Sequence, residues 1–268
     1  MESEAFSAKV KKAVAGNFDR SYRLYQAFEH KHRFFYSLAL QLAERIELRQ
    51  GSKVLDVGCG SGISASALDE RFHCRVLGVD LSAKMVAAGK SVCRSGNVRM
   101  QVGDGERLAE VVGNERFDYV LFNASIFILP DVDRALQGAF SCLRPGGKIA
   151  FSFFPDLQDE TGLDLFRLAF ERLGEPLPRF RVITDYPKAC SALAHRCGNI
   201  VHHRWDRALD IEFLQDFFSI PAQSASLFPG RGYEARRELV GRLFATLEDR
   251  TDSGHIVWRM AEGIKTDL

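Results

Sequence analysis

The stretch VLDVGCGSG, Val54 to Gly62, decides how this chain is read. An apolar run ends in Asp56, and glycines follow at every second position, Gly58, Gly60 and Gly62. The pattern predicts a short buried strand over 53–57, a tight turn, and a helix over 63–72. Glycine permits positive φ and lets a ligand approach the main chain closely, and the N-terminus of the following helix favours negative charge. The spacing narrows the ligands such a turn can serve. A dinucleotide fingerprint would need its third small residue at Ile63, and a phosphate loop would end in Gly-Lys-Ser/Thr, which does not follow here. Taken alone, three spaced glycines are also what a plain strand-to-helix turn shows.

Outward from the turn the alternation continues. Strands are predicted over 75–79, 98–102, 119–122 and 149–153, with helices over 83–92, 107–112 and from Asp131 to about Leu143. Ser82 and Asp131 are placed to cap two of these helices, and Arg144-Pro145-Gly146-Gly147 reads as a turn. Strands and helices in this rhythm predict an α/β fold, a doubly wound and mostly parallel sheet. Before it, aromatic and aliphatic residues at helical spacing predict one helix over 18–48. After Pro155, helices are expected over 163–173, 187–196, 213–218 and 233–247, with strands over 200–209 and 256–260. The chain thus divides into an N-terminal helical segment (1–50), a ligand-binding core (51–155) and a C-terminal part with a helical lid (156–268).

Composition bounds the function. With 268 residues, 46% hydrophobic and 26% charged, the chain has the make-up of a soluble globular protein. Thirty-six basic against 35 acidic residues leave a net charge of +1, so no global field draws in nucleic acid or an anionic membrane. No run of apolar residues is long enough to span a bilayer, and the N-terminus lacks a signal-peptide core. The six cysteines have no disulfide-scaffold rhythm and read as reduced thiols, which places the chain in the cytoplasm. The 21 phenylalanines read first as core, with a lid around an apolar pocket as the second reading.

The ordered set DVGCGSG, GVDLS, GDGE, FDYVLFNAS and LRPGG resembles the class I S-adenosylmethionine-dependent methyltransferases, from about Lys53 to Phe154. Within them it is similar to the small-molecule branch that includes ubiquinone/menaquinone and malonyl-carrier methyltransferases. The aromatic segment FDRSYRLYQAFEHKHRFF looks like the helix that covers the cofactor there. The resemblance implies a Rossmann-like seven-stranded sheet with helices on both faces and S-adenosyl-L-methionine as cofactor, with S-adenosyl-L-homocysteine as product. It also implies roles for particular residues. The backbone of Gly58, Cys59, Gly60, Ser61 and Gly62 would lie against the methionyl part, with Asp56 organising its amino group. Asp80 would take the ribose hydroxyls, with Leu81 and Met85 against the adenine. Asp104 would accept from the adenine amino group, with Gly105 and Glu106 beside it. Asn123 would line the site near the sulfonium. Tyr22 and Tyr25 are candidates to close over the cofactor, with anchoring the first helix to the sheet as the other reading. For Cys59 the residue-level reading is a small buried filler, and an Asp after a strand is often only a turn or cap.

The acceptor side is less determined. The Asn/Asp-Pro-Pro-Tyr/Phe motif of amide and adenine-amino methyltransferases is absent, since Asn123 is followed by Ala124-Ser125-Ile126. A histidine base from the segment after the fourth strand is missing in SIFILPD. Surface or lid positions are the expectation for His202, His203 and the other histidines. Cys190, His195, Cys197, His202 and His203 fit no metal-ligand spacing, so no metal is expected. Phe127, Phe153, Phe154, Phe213, Phe217 and Phe218 are candidates for an apolar acceptor wall, and Arg231 for pairing with an acidic acceptor, with packing and solvent as the plainer readings. The expected activity is methyl transfer to a small organic acceptor, catalytic residues unassigned. Rivals are an RNA or protein methyltransferase, and a silent cofactor-binding sensor or partner subunit.

Overall fold

The computed structural model describes residues 2–179 and 182–266. Strands β1 (Lys53–Val57), β2 (Arg75–Asp80), β3 (Val98–Val102), β4 (Phe117–Phe122) and β5 (Leu143–Ser152) run parallel. Antiparallel to β5 lies β8 (Gly254–Ile264), which also pairs with β6 (Asp156–Asp159) and β7 (Ile200–Ala208). Ala261 of β8 pairs with both Phe151 and His202, and Ile256 with both Leu157 and Arg207. β5 and β6 therefore share one edge of β8, and β7 takes the other. The strands fill seven rows in the order β3-β2-β1-β4-β5/β6-β8-β7, the expected doubly wound, mostly parallel sheet.

Right-handed crossovers decide where the helices lie. From β1 the chain steps outward through α3 (Ile63–Phe72) and α4 (Ala83–Val92) to β3, then returns through α5 (Leu108–Val112) to β4 and steps the other way through α6 (Val132–Cys142) to β5. The reversal puts α3 and α4 on one face and α6 on the other. In α6, Val132, Ala135, Leu136, Ala139 and Cys142 make the buried stripe that a surface helix needs. Ser82 and Asp131 cap α4 and α6 as expected, accepting from the backbone N–H groups of Met85 and Arg134.

Two local expectations are corrected. The single N-terminal helix is two, α1 (Glu2–His32) and α2 (Phe34–Arg45), broken at Arg33, whose backbone is left-handed with φ 45°. The Glu29 carboxylate accepts from the N–H groups of Phe35 and Tyr36 at 2.8 and 3.0 Å, so the first helix supplies the cap that starts the second. The Arg144–Gly147 stretch is no free turn. It lies within β5, where the Gly146 N–H donates to the Lys265 carbonyl and Gly147 accepts from the Lys265 N–H.

The C-terminal part carries α7 (Leu165–Leu173) and α8 (Tyr186–Cys197) before β7. Between β7 and β8 come α9 (Ile211–Ser219), α10 (Pro221–Leu227) and α11 (Tyr233–Ala245). Of these, α9 packs Phe213 and Phe217 against Phe28, Phe34 and Phe35 of α1 and α2, and α10 sets Gln223 on the Tyr25 hydroxyl of α1. Phe34 is the hub, 1% exposed, with its ring 4.7 Å from Trp258, 5.1 Å from Phe213 and 6.1 Å from Phe28. The phenylalanines of α9 are thus core, joining the two ends of the chain. No described helix is long and apolar enough to cross a membrane.

Phe34→Ala empties the centre of this cluster and should destabilise the protein by ~3–5 kcal/mol in urea unfolding. A loss under about 1 kcal/mol would show that the cluster does not fasten the N-terminal helices.

Candidate functional site

Where the strand order reverses, between β1 and β4, neither set of helices covers the carboxyl edge of the sheet, and a crevice opens there. The turn after β1 supplies Gly58, Cys59, Gly60 and Ser61 to its wall, and β2 and α4 supply Asp80, Leu81 and Met85. Gly103, Asp104 and Gly105 come from the end of β3, and Asn123, Ala124 and Ser125 from the end of β4. Over these, α1 lays Lys11, Val14, Ala15, Phe18 and Tyr25.

The three glycines of the turn answer to different constraints. A Cβ on Gly58 would sit 2.4 Å from that of Ser125, and one on Gly62 would sit 2.7 Å from the Met100 sulfur. Gly60, at φ +54°, has nothing within 4 Å of that position, so its missing side chain leaves open space in the crevice. Gly62 is outside the lining and starts α3. Cys59 packs with Val86 and Met100, and burial pushes its thiol well up, as befits a filler.

Asp80 is tied to the turn. Its two oxygens accept from the N–H groups of Gly60 and Ser82, each at 2.8 Å. Burial raises its pKa, the two backbone bonds oppose the shift, and Asp19 adds to it. Asp104 meets the Lys11 ammonium of α1 at 2.7 Å, and Lys11 also pairs with Glu106. Burial works against the Lys11 charge, but these two carboxylates outweigh it and hold the pKa above its ordinary value. Glu106 is 3% exposed, accepts from the Asp131 N–H, and stands behind Asp104 rather than in the crevice.

Asp56, at the carboxyl end of β1, is also outside the lining. It is 1% exposed, and neither carboxylate oxygen has a hydrogen-bond partner among the described residues. Burial first, and Asp80 second, push its pKa up to about 7. Asn123 does line the crevice, but its amide is engaged: it donates to Ser64 at 2.8 Å and accepts from Ser152 at 2.7 Å. Tyr25 lines the crevice with its hydroxyl accepting from Gln223 at 2.7 Å, and burial raises its pKa. Tyr22 does not line it, and its hydroxyl accepts from Arg23.

Of the expected residues, then, Asp56, Gly62, Glu106 and Tyr22 lie outside the crevice wall. Lys11, Val14, Ala15, Phe18 and Ser125 line it without having been singled out in the sequence, and Ser82, expected only as a cap, lines it too. Arg231 pairs with Glu175, and His203 faces Glu262 on β8. Among the described residues no group of three His, Cys, Asp or Glu side chains is arranged to hold a metal.

Residues 55–151 match the methyltransferase domain family. This core is a class I S-adenosylmethionine-dependent methyltransferase domain. The chain is 37% identical over 111 residues to a ubiquinone biosynthesis O-methyltransferase of Pseudomonas fluorescens, covering 41% of this chain and 47% of that protein. It is 32% identical over 114 residues to phosphoethanolamine N-methyltransferase 1 of Triticum aestivum, covering 42% of this chain and 22% of that one. The methyltransferase domain thus spans less than half the length of these relatives. In fold the chain is similar to phosphoethanolamine N-methyltransferase 2 of Haemonchus contortus, solved with phosphomonomethylethanolamine and S-adenosylhomocysteine. The TM-score is 0.60 at 20% identity, over 93% of this chain and 58% of that one.

Asp56 sets a pH dependence of stability. The unfolded chain gives up this proton near pH 4, whereas the folded chain keeps it to about pH 7. The folded state binds the extra proton between those values, so stability falls as pH rises through the window. Compared by urea unfolding, Asp56→Asn should lose on the order of 2 kcal/mol less than the wild type between pH 4 and pH 7. Equal pH slopes in the two proteins would contradict the assignment.

Proposed function

We propose that this protein transfers a methyl group from S-adenosylmethionine to a small organic acceptor. The observation that carries the reading is the open backbone at Gly60, bonded to Asp80 and sharing its crevice with Asp104, in a methyltransferase domain. When bound, S-adenosylmethionine supplies a methyl group on a sulfonium, displaced in line by the acceptor's lone pair while the carbon–sulfur pair returns to sulfur.

The residues suit that cofactor. In this reading the bare main chain from Gly58 to Ser61 admits the methionyl part, and the N-terminus of α3 favours its carboxylate. Asp56 has two buried oxygens in want of a cation, which an ammonium group near the turn supplies, directly or through water. Asp80 keeps a free lone pair on each oxygen after its backbone bonds and accepts the ribose hydroxyls. Leu81 and Met85 pack an adenine face, and Asp104 accepts from its amino group beside Gly105, with Lys11 giving way. Glu106 acts through Lys11, Gly62 through the start of α3, and Asn123 through the wall it fixes. Tyr25 and the rest of α1 exclude water, which strengthens every electrostatic contact inside and holds the reactants in line. The acceptor is small in this reading because α1 lies over the crevice, with Lys11, Val14, Ala15, Phe18 and Tyr25 in its wall.

Gly60→Ala tests the reading with little disturbance to the fold, since the added methyl group meets open space and only the left-handed backbone resists it. The variant should stay folded and bind S-adenosylmethionine roughly tenfold or more weakly. Unchanged binding would remove the turn from the site.

A further inference from the structure

Beside the crevice lies a second cavity of about 500 Å³, within the range of small-molecule sites. Val14, Phe18, Ala124 and Ile128 line both spaces, which therefore adjoin. The far side comes from Phe127 and Phe154 of the sheet edge, from Val182 and Ile183, and from Ala222 and Ala225 of α10. The 182–184 segment is held in place by backbone bonds from Ile183 and Thr184 to the Phe127 carbonyl.

Two features of this cavity specify its occupant. No described lining residue is charged, and its polar side chains are Asn17, Gln223 and Ser226. A phosphate, carboxylate or ammonium entering it would leave water without finding an opposite charge among them. Four of the lining residues are phenylalanines, Phe6, Phe18, Phe127 and Phe154, which present flat apolar faces. The second feature is Gln223, 8% exposed, whose Nε2 donates to the Tyr25 hydroxyl. Tyr25 lines the first crevice and Gln223 the second, so this bond crosses from one to the other. It uses one N–H of the amide and leaves Oε1 without a partner among the described residues, an acceptor for a hydroxyl.

We propose that this cavity is the acceptor chamber, that it takes an uncharged aromatic alcohol, and that Gln223 is the positioning residue that orients the hydroxyl. This rests on the methyltransferase reading above. The transfer then joins the hydroxyl oxygen to the methyl carbon and returns the carbon–sulfur electron pair to sulfur. The hydroxyl proton goes to solvent, because no titratable described side chain lines the chamber. The proposal separates this chain from the phosphoethanolamine methyltransferases it is similar to, whose named acceptor is charged.

The test is calorimetry on the full chain, first with S-adenosylhomocysteine and then, with that nucleoside bound, with 2-naphthol, 2-naphthoate and 2-naphthylmethylamine. The wild type should bind the nucleoside, then 2-naphthol about tenfold or more tightly than either ion. Ile183→Asp, at a 41% exposed wall position, should keep nucleoside binding and lose 2-naphthol. Gln223→Leu should abolish the preference for 2-naphthol over 2-methoxynaphthalene, which has no proton to donate. No nucleoside binding would overturn the cofactor reading and the chamber with it. Nucleoside binding with either ion preferred, or with no 2-naphthol binding, would overturn the acceptor class alone. Unchanged 2-naphthol affinity in Ile183→Asp would overturn the chamber's location, and an unchanged preference in Gln223→Leu would overturn the role of Gln223.

Discussion

A parallel sheet built by right-handed crossovers can place its helices on both faces only if the strand order turns back on itself, and here it does so between β1 and β4. At that seam the turns after β1 and β4 part in opposite directions, and the carboxyl edge stays open. Everything chemically distinctive follows from what the strand ends bring to it: the glycine turn after β1, Asp80 at the end of β2, Asp104 after β3 and Asn123 after β4. Gly58 can be nothing larger because Ser125, arriving after β4, occupies the space a Cβ would need. The two turns that flank the seam are packed against each other, which fixes the width of the crevice.

Closing the seam falls to the far ends of the chain. α1 crosses the opening and is held there by two kinds of contact. One is apolar, the aromatic cluster around Phe34 that ties α1 and α2 to α9 and β8. The other is polar and lies at the crevice itself: Lys11 on Asp104 and Glu106, Asp19 on Ser82, and Gln223 on Tyr25. The apolar contacts supply most of the binding of the helix, because they are fully buried. Of the polar ones, Lys11 sits where a ligand would compete for Asp104. α1 is thus anchored by aromatic packing at its C-terminal half, while Lys11 of its N-terminal half is held by the carboxylates beside the crevice.

The sheet was legible because its signals are local. β1, β2 and β4 are short, largely apolar runs that reach Gly58, Asp80 and Asn123, and Ser82 and Asp131 cap their helices with groups three residues away. Asp80, Asp104 and the glycine turn could be placed on one edge from strand order alone. What was not legible depends on contacts between distant residues. Nothing near Arg33 announces a helix break, since its cap is the side chain of Glu29 reaching forward. Lys11 is 93 residues from Asp104, and no periodicity links them. Glu106 follows Asp104 closely but turns inward to the Asp131 N–H, and Tyr22, three residues before Tyr25, falls on the wrong side of α1. The isolation of Asp56 is visible only once the strands around it bury it without a donor.

In the proposed reading, the crevice at the β1/β4 seam takes a sulfonium nucleoside and not a nicotinamide dinucleotide. Calorimetric titration of the purified protein with S-adenosylmethionine, S-adenosylhomocysteine and NADH tests it most directly. One site should take both sulfur nucleosides and ignore NADH. Binding of NADH, or silence with both sulfur nucleosides, would contradict it.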